Sequence, residues 1–440
     1  MRRDRGGVMG KWLVYAWVCL GLVAVLTLAG AAEADWPQFR GPFGNGHASS
    51  ESVGLPVRWS EGENVRWKVG IPCRGWSTPV VMAGRVWLTT ATMEGHDFFV
   101  ICVDAETGEI LLNKRLFHWD EPEPLGNPVN GYASPSCALE AGRVYVHFGS
   151  YGTACLDTAT FEVIWERTDL PCRHYRGPGS SVIVYKDVLI VTMDGVDVQY
   201  LVGLDKNTGR TVWKTDRTTE WNDLDEDGRP KDEGDLRKAY STPLIVDVDG
   251  AVQMISLGAR SGYAYDPRDG REIWKVRYEG FSTAACPVYA DGVVYLLTGF
   301  GRTELYAVAA DGRGDVTDTH IRWTAKKTLP QTPSPLLVDG LLYTVSDAGM
   351  LVCFDTATGQ ELWKERLKGK QTASPVYADG RVYVFDQDGN GTVFRPGRRY
   401  EHLATNRLDG GCMASPAISG RALFVRTRGH LYRIEARSEN

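Results

Sequence analysis

No two of the nine cysteines are adjacent and none falls at CxxC spacing, which excludes thiolate zinc clusters and paired-thiol redox chemistry. An excess of positive charge is missing too: 49 Lys and Arg against 55 Asp and Glu give a net charge of -6. With no basic patch to displace counterions from phosphates, a broad nucleic-acid surface is excluded. There is no HExxH helix, GxSxG elbow, haem-attachment sequence or phosphate-binding glycine loop in a strand–helix context. What the 440 residues do have is 43% apolar side chains, 49 Gly, 21 Pro and 14 Trp spread along the whole length. That composition buries a sizeable core and favours many short strands and turns, one large all-β body rather than the three domains that length alone suggests.

The single long apolar run, Trp12 to Gly30, follows Arg2, Arg3, Arg5 and Lys11 and precedes a small-x-small site at Ala32-Glu33-Ala34. Residues 1–34 read as a secretory signal, with an uncleaved anchor as the alternative, because the run is just long enough to span a bilayer. Ala16, Trp17 and Val18 ahead of Cys19 are not the small residues of a lipoprotein signal. The expected location is therefore periplasmic or secreted, with membrane association only if the segment stays attached.

Beyond an irregular segment at 35–62 the chain is repetitive. Short apolar strands end in Asp, a Thr-Gly or Asp-Gly turn follows, and a Trp stands eight residues after the Asp: Asp157 to Trp165, Asp205 to Trp213, Asp266 to Trp274 and Asp355 to Trp363. Asp104 opens the same turn with Leu112 in the Trp place, and an insertion around Gly312 to His320 delays Trp323. Between these turns a small residue and Pro open another strand, as in "STPVVMAGRVWLTT" from Ser77 and "ASPVYADGRVYVFD" from Ala373, with eight copies in all. Each copy spells strand, tight turn, strand, turn, strand, Asp turn and Trp strand, a four-stranded antiparallel sheet.

One such sheet cannot bury both faces, and eight packed radially make an eight-bladed β-propeller over residues 63–437. The last copy has three strands, ending in "HLYRIEA" at 430–436. Its missing fourth strand is "NVRWKV" at 64–69, carrying Trp67, so an N-terminal strand is expected to close the ring and remove its exposed edge.

The "LDKNTGRTVW" and "FDTATGQELW" turns with their Ser-Pro strand starts resemble the repeat of pyrroloquinoline-quinone (PQQ)-dependent dehydrogenases and of BamB-like propellers of the bacterial envelope. "DWPQFRGPFGNG" at 35–46 is similar to the start of secreted members of this PQQ-like group. The resemblance implies that Trp67, Trp165, Trp213, Trp274, Trp323 and Trp363 dock each blade on its neighbour with their indole N–H satisfied. Dehydrogenase members stack the quinone between a Trp and a disulfide of adjacent cysteines and hold calcium through Glu, Asn and Asp; no such cysteine pair exists here. The resemblance therefore implies a non-catalytic exported scaffold, a monomer without cofactor, that binds an envelope protein or polymer. A PQQ- and calcium-dependent oxidoreductase, and a sensor or substrate-binding module of an envelope system, are the alternatives.

Three local features stand out. Cys102, Cys155 and Cys353 share one strand position and read as core packing, whereas Cys73 and Cys412, in loops of blades that ring closure makes neighbours, are candidates for a disulfide. The interruption at 216–238 holds nine acidic and five basic residues, and its "DLDEDG" at 223–228 imitates the first half of a calcium loop through Asp223, Asp225 and Asp227. Gly234 stands where such a loop needs Glu, so a solvated charged loop is the competing reading. Finally, loops from each blade's outer strand to the next inner strand crowd one mouth of the channel. There Arg74, Trp76, His118, Trp119, Arg173, His174, Tyr175, Arg176 and Tyr240 combine guanidinium, imidazole and aromatic surface, a mixture enriched in binding hot spots. That face is the expected binding surface, with no catalytic residue assigned.

Overall fold

The computed structural model describes residues 35–126 and 129–436; the signal-or-anchor segment lies outside them. The repeat folds as eight antiparallel sheets whose strands follow chain order from the inside outward. Blades 1 to 7 occupy 80–118, 138–167, 183–216, 244–277, 288–325, 336–366 and 376–407, and blade 8 occupies 417–434. Val65–Gly70 completes blade 8 by pairing antiparallel with His430–Ile434, Trp67 opposite Arg433 and Gly70 opposite His430, which is the ring closure expected from the terminal repeats. The cores lie between blades: Val80, Trp87 and Cys102 of blade 1 pack against Cys137, Val144 and Leu156 of blade 2, all fully buried.

The Asp-Thr-Gly-Trp spacing has a steric explanation. The Asp205 carboxylate accepts the main-chain N–H groups of Asn207 and Thr208 and the Thr208 hydroxyl, which fixes the turn. The Gly that follows has φ between +71° and +76° in the turns of Gly108, Gly209, Gly270 and Gly359. At these four positions a Cβ would stand 2.5 to 2.8 Å from Trp67, Trp165, Trp213 or Trp323, the tryptophan of the preceding blade. Gly is therefore required twice, for its backbone and for its missing side chain. Blade 2 supplies the converse, because Phe161 occupies the Gly position with φ +62° and the preceding blade carries Leu112 in place of Trp.

Four of the docking indoles donate to a carbonyl of the next blade's turn: Trp67 to Ala105, Trp165 to Lys206, Trp323 to Thr356 and Trp363 to Gly397, at 2.8 to 3.0 Å. Two depart from the expectation of a satisfied docking indole. Trp213 packs on Gly270 with its N–H unpartnered, and Trp274 donates to Gln253 of its own blade at 2.9 Å. The cause at Trp274 is the insertion in blade 5, whose Gly314–Asp315 runs parallel to Glu272–Arg277 as a fifth strand of blade 4 and replaces the usual turn.

Residues 35–54 form a strap across the end of the ring that carries the Asp turns, and 55–62 run on beside blade 7 toward the other end, where Glu61 accepts the Asp409 N–H at 2.9 Å. Trp36 exchanges main-chain hydrogen bonds with Val81 of blade 1, Leu139 of blade 2 donates to Pro37, and Tyr377 of blade 7 bonds Gly46 and Ala48. Arg40, 1% exposed, donates to the carbonyls of Pro335, Pro375 and Asn45. Phe39 consequently forms part of the wall of the central channel.

Candidate functional site

In an up-and-down blade, the hairpin between the second and third strands and the loop to the next blade lie at the same end, opposite the Asp turns. The strap takes the Asp-turn end, so the channel opens at the loop end as a cup of about 310 Å³. Its wall starts with one repeated position, the residue two before the first strand of each blade: Thr78, Ser136, Ser181, Thr242, Cys286, Ser334, Ser374 and Ser415. Six of the seven hydroxyls, all but that of Thr78, accept a main-chain N–H from the same position of the preceding blade. Thr78 donates to Ser136 at 2.8 Å, and Ser136 to Ser181, Ser181 to Thr242, Cys286 to Ser334, Ser334 to Ser374 and Ser374 to Ser415 at 2.9 Å. This ring satisfies buried main-chain donors that no strand ladder reaches. Sequence reasoning missed it by reading the small residue before Pro only as a strand opener; the signal was the recurrence of Ser or Thr there.

Above the ring the wall is aromatic, with Trp76, Tyr240, Phe281 and Phe300. Of the nine residues expected on the binding surface, Trp76, Arg176 and Tyr240 line the cup. Trp76 donates to Val129 at 3.2 Å, and the Arg74 guanidinium lies over its ring at 5.0 Å. Arg176 is held by Asp235 of the acidic interruption through Nε and Nη2 at 3.3 and 3.0 Å. Lys238, with a fully buried side chain, also pairs with the Asp235 carboxylate and donates to its carbonyl at 2.6 Å, so the interruption is clamped to the rim. Tyr175 lies beside Arg176 and its N–H donates to Glu123, while exposed Arg173 pairs with the same carboxylate at 3.3 Å.

Arg74, Arg173 and Tyr175 thus adjoin lining residues without lining the cup themselves, and the other three lie apart from it. His118 lies on the outer strand of blade 1, its Nδ1 2.7 Å from Asp97, and that partner raises its pKa. Trp119 is a half-buried anchor, donating to Tyr151 at 2.9 Å with the two rings edge to face. His174 is corrected from surface to interior: it is 5% exposed and its Nε2 accepts the Ser150 N–H at 3.1 Å. Burial pushes its pKa down to about 4, which keeps it neutral.

Two further expectations are corrected. Cys73 and Cys412 are free thiols, because Cys73 is exposed while Cys412 is buried in the core beside Leu408 and Ala373. Asp223, Asp225 and Asp227 do not converge. Asp223 pairs with Arg237, and Asp225 accepts the N–H groups of Asp227 and Arg229 in a turn of its own. Among the described residues no group of three or more His, Cys, Asp or Glu is placed to hold a metal. The cup itself offers hydroxyls, aromatic rings, an amide, a thioether and one guanidinium, with no carboxylate in its lining. Calcium takes six to eight oxygen ligands rich in carboxylates, so this donor set does not fit a calcium–quinone pair.

Eight four-stranded blades, Trp-on-Gly docking and a closing N-terminal strand define a PQQ-like β-propeller. The family profile described as outer membrane protein assembly factor BamB matches residues 57–219 and 315–399, and the chain belongs to that family. The outer membrane protein assembly factor BamB of Legionella pneumophila (strain Paris) is 26% identical over 204 residues, 43% of this chain and 49% of that protein. The match thus spans about half the length of that relative. Among solved structures, BamB from Moraxella catarrhalis shares the fold with a TM-score of 0.59 at 14% identity, over 86% of this chain and 98% of its own. The quinohemoprotein alcohol dehydrogenase of Comamonas testosteroni does so with a TM-score of 0.63 at 13% identity, over 92% and 81%.

Proposed function

We infer that this chain is an exported, non-catalytic scaffold of the cell envelope that holds a protein or polymer partner against the loop face of its propeller. The observation that carries this reading is the unlike character of the two ends. One is closed by the strap and by short Asp turns; the other presents long loops, an open cup and exposed Met93 and Val129 around Arg74 and Trp76. Function collects on loops held by a rigid scaffold. Kinship with proteins named for outer membrane protein assembly supports an envelope partner.

The test compares pull-down from envelope extract by the wild type with that by Arg74→Ala, Trp119→Ala and Arg176→Ala, each first matched for melting temperature. Loss of a partner by these variants, but not by substitutions in the turns of Thr208 or Thr358, is expected. The reverse pattern overturns the face assignment. Titration with PQQ and calcium followed by dye-linked alcohol oxidation tests the absence of catalysis; stoichiometric binding with turnover overturns it.

A further inference from the structure

The hydroxyl ring is rich in donors. Ser136, Ser181, Ser374 and Ser415 each accept one main-chain N–H. A hydroxyl also carries a hydrogen to donate. Among the described residues none of these four gives that hydrogen to a protein acceptor, and all four line the cup. Tyr240 adds a fifth donor, since its hydroxyl is buried in the same wall without any partner. Four hydroxyl hydrogens without a protein acceptor and one wholly unpartnered hydroxyl, all at the wall of one small cavity, favour an acceptor-rich guest.

The charges beside the ring have the same sign. Arg426, 3% exposed, donates to the carbonyls of Ser77 and Thr89 and to the Ser77 hydroxyl, next to Thr78 of the ring. Arg40 takes the carbonyls of Pro335 and Pro375, the residues that follow Ser334 and Ser374, and its Nε is unpartnered. Among the described residues neither guanidinium touches a carboxylate. Burial lowers their pKa values to about 9 and about 10, so both remain cationic at neutral pH. Arg176 at the rim, by contrast, is neutralised by Asp235. Positive potential therefore gathers at the ring, and above it Trp76, Phe281 and Phe300 offer apolar ring surface.

We propose that the cup is a binding site for a small organic anion, a carboxylate or phosphate ester with an apolar, ring-bearing body, whose oxygens point down to the hydroxyl ring while its body rests on the aromatic wall. The site is independent of partner docking on the loop face, so failure of one leaves the other standing.

The test is calorimetric titration of the purified protein with 4-phenylbutyrate, phenyl phosphate and the uncharged 4-phenylbutan-1-ol. One-to-one binding of at least one anion, about tenfold or more tighter than the alcohol, is expected from charge-assisted hydrogen bonds. Whichever anion binds more tightly assigns the head group. Tyr240→Phe, which removes an unpartnered hydroxyl, and Ser374→Cys, which copies the thiol that Cys286 already places in the ring, are expected to weaken the anion several-fold in folded protein. Equal affinity for the alcohol, no saturable binding of either anion, or variants that bind as the wild type does would overturn the proposal.

Discussion

Replacing Gly359 by Ala tests the docking principle of the ring, with Gly380→Ala as its internal control. Both glycines lie in turns with nearly the same φ, +72° and +71°. An Ala Cβ at 359 would stand 2.6 Å from the Trp323 ring, whereas at 380 nothing lies within 4 Å. The left-handed backbone costs each variant about 1 to 2 kcal/mol, and the entropy that Ala removes from the unfolded chain is common to both. Only Gly359→Ala must also displace the indole, with overpacking of about 1 to 3 kcal/mol. It further loses most of the 2.8 Å bond from Trp323 to Thr356, a net contribution of about 1 kcal/mol. The expected gap between the two variants is therefore about 2 to 4 kcal/mol. Urea unfolding followed by tryptophan fluorescence reads it as a lower midpoint for Gly359→Ala, with a blue-to-red shift reporting exposure of the dislodged indole. Equal midpoints would refute the claim that the Thr-Gly turn exists to receive the neighbouring Trp.

Gln253→Ala strands the fully buried Trp274 N–H and removes the 3.1 Å donor to Ala310, so a loss of about 2 to 4 kcal/mol is expected in the same unfolding assay. Burial lowers the pKa of His147 to about 3 and that of His174 to about 4, below the unfolded value of about 6.5. Below pH 6.5 the unfolded chain takes up protons that the native state refuses, so stability present above that pH drains away as the pH falls toward 4. Urea midpoints at pH 7.0 and 4.5 measure the loss, and His147→Asn is expected to flatten it. Because Asp223 is committed to Arg237 and Asp225 to its own turn, millimolar calcium is expected to leave melting temperature and protease sensitivity of the 216–238 segment unchanged.

The blades were legible because their signals are periodic and each has a local cause: a carboxylate that fixes a turn, a Gly with positive φ, a Trp eight residues on. Ring closure followed from counting strands in the last repeat. The strap was not legible, since Arg40 acts on carbonyls about three hundred residues away and "DWPQFRGPFGNG" has no period to read. For the rim residues, sequence indicated the loops but not the direction of each side chain. His174 turns inward because Gly149, which has no Cβ, lets the imidazole approach, while Arg176 two residues later faces the cup. Cys412 shares a loop end with a ring neighbour of Cys73, yet proximity of blades does not place two sulfurs on one side of a wall. The Ser/Thr position recurs in seven of the eight repeats, with Cys286 in the other, and was overlooked because a hydroxyl beside Pro is also an ordinary turn former.

The central claim, that the loop face of this family member receives an envelope partner, is tested most directly by site-specific photocrosslinking in intact cells of the source organism. A crosslinker replaces Met93 or Arg173 on the loop face and, in parallel, Asn207 or Thr358 on the Asp-turn face. The account predicts the same discrete adduct from both loop-face positions and none from the turns. An adduct from Asn207 or Thr358, with none from Met93 or Arg173, would contradict it.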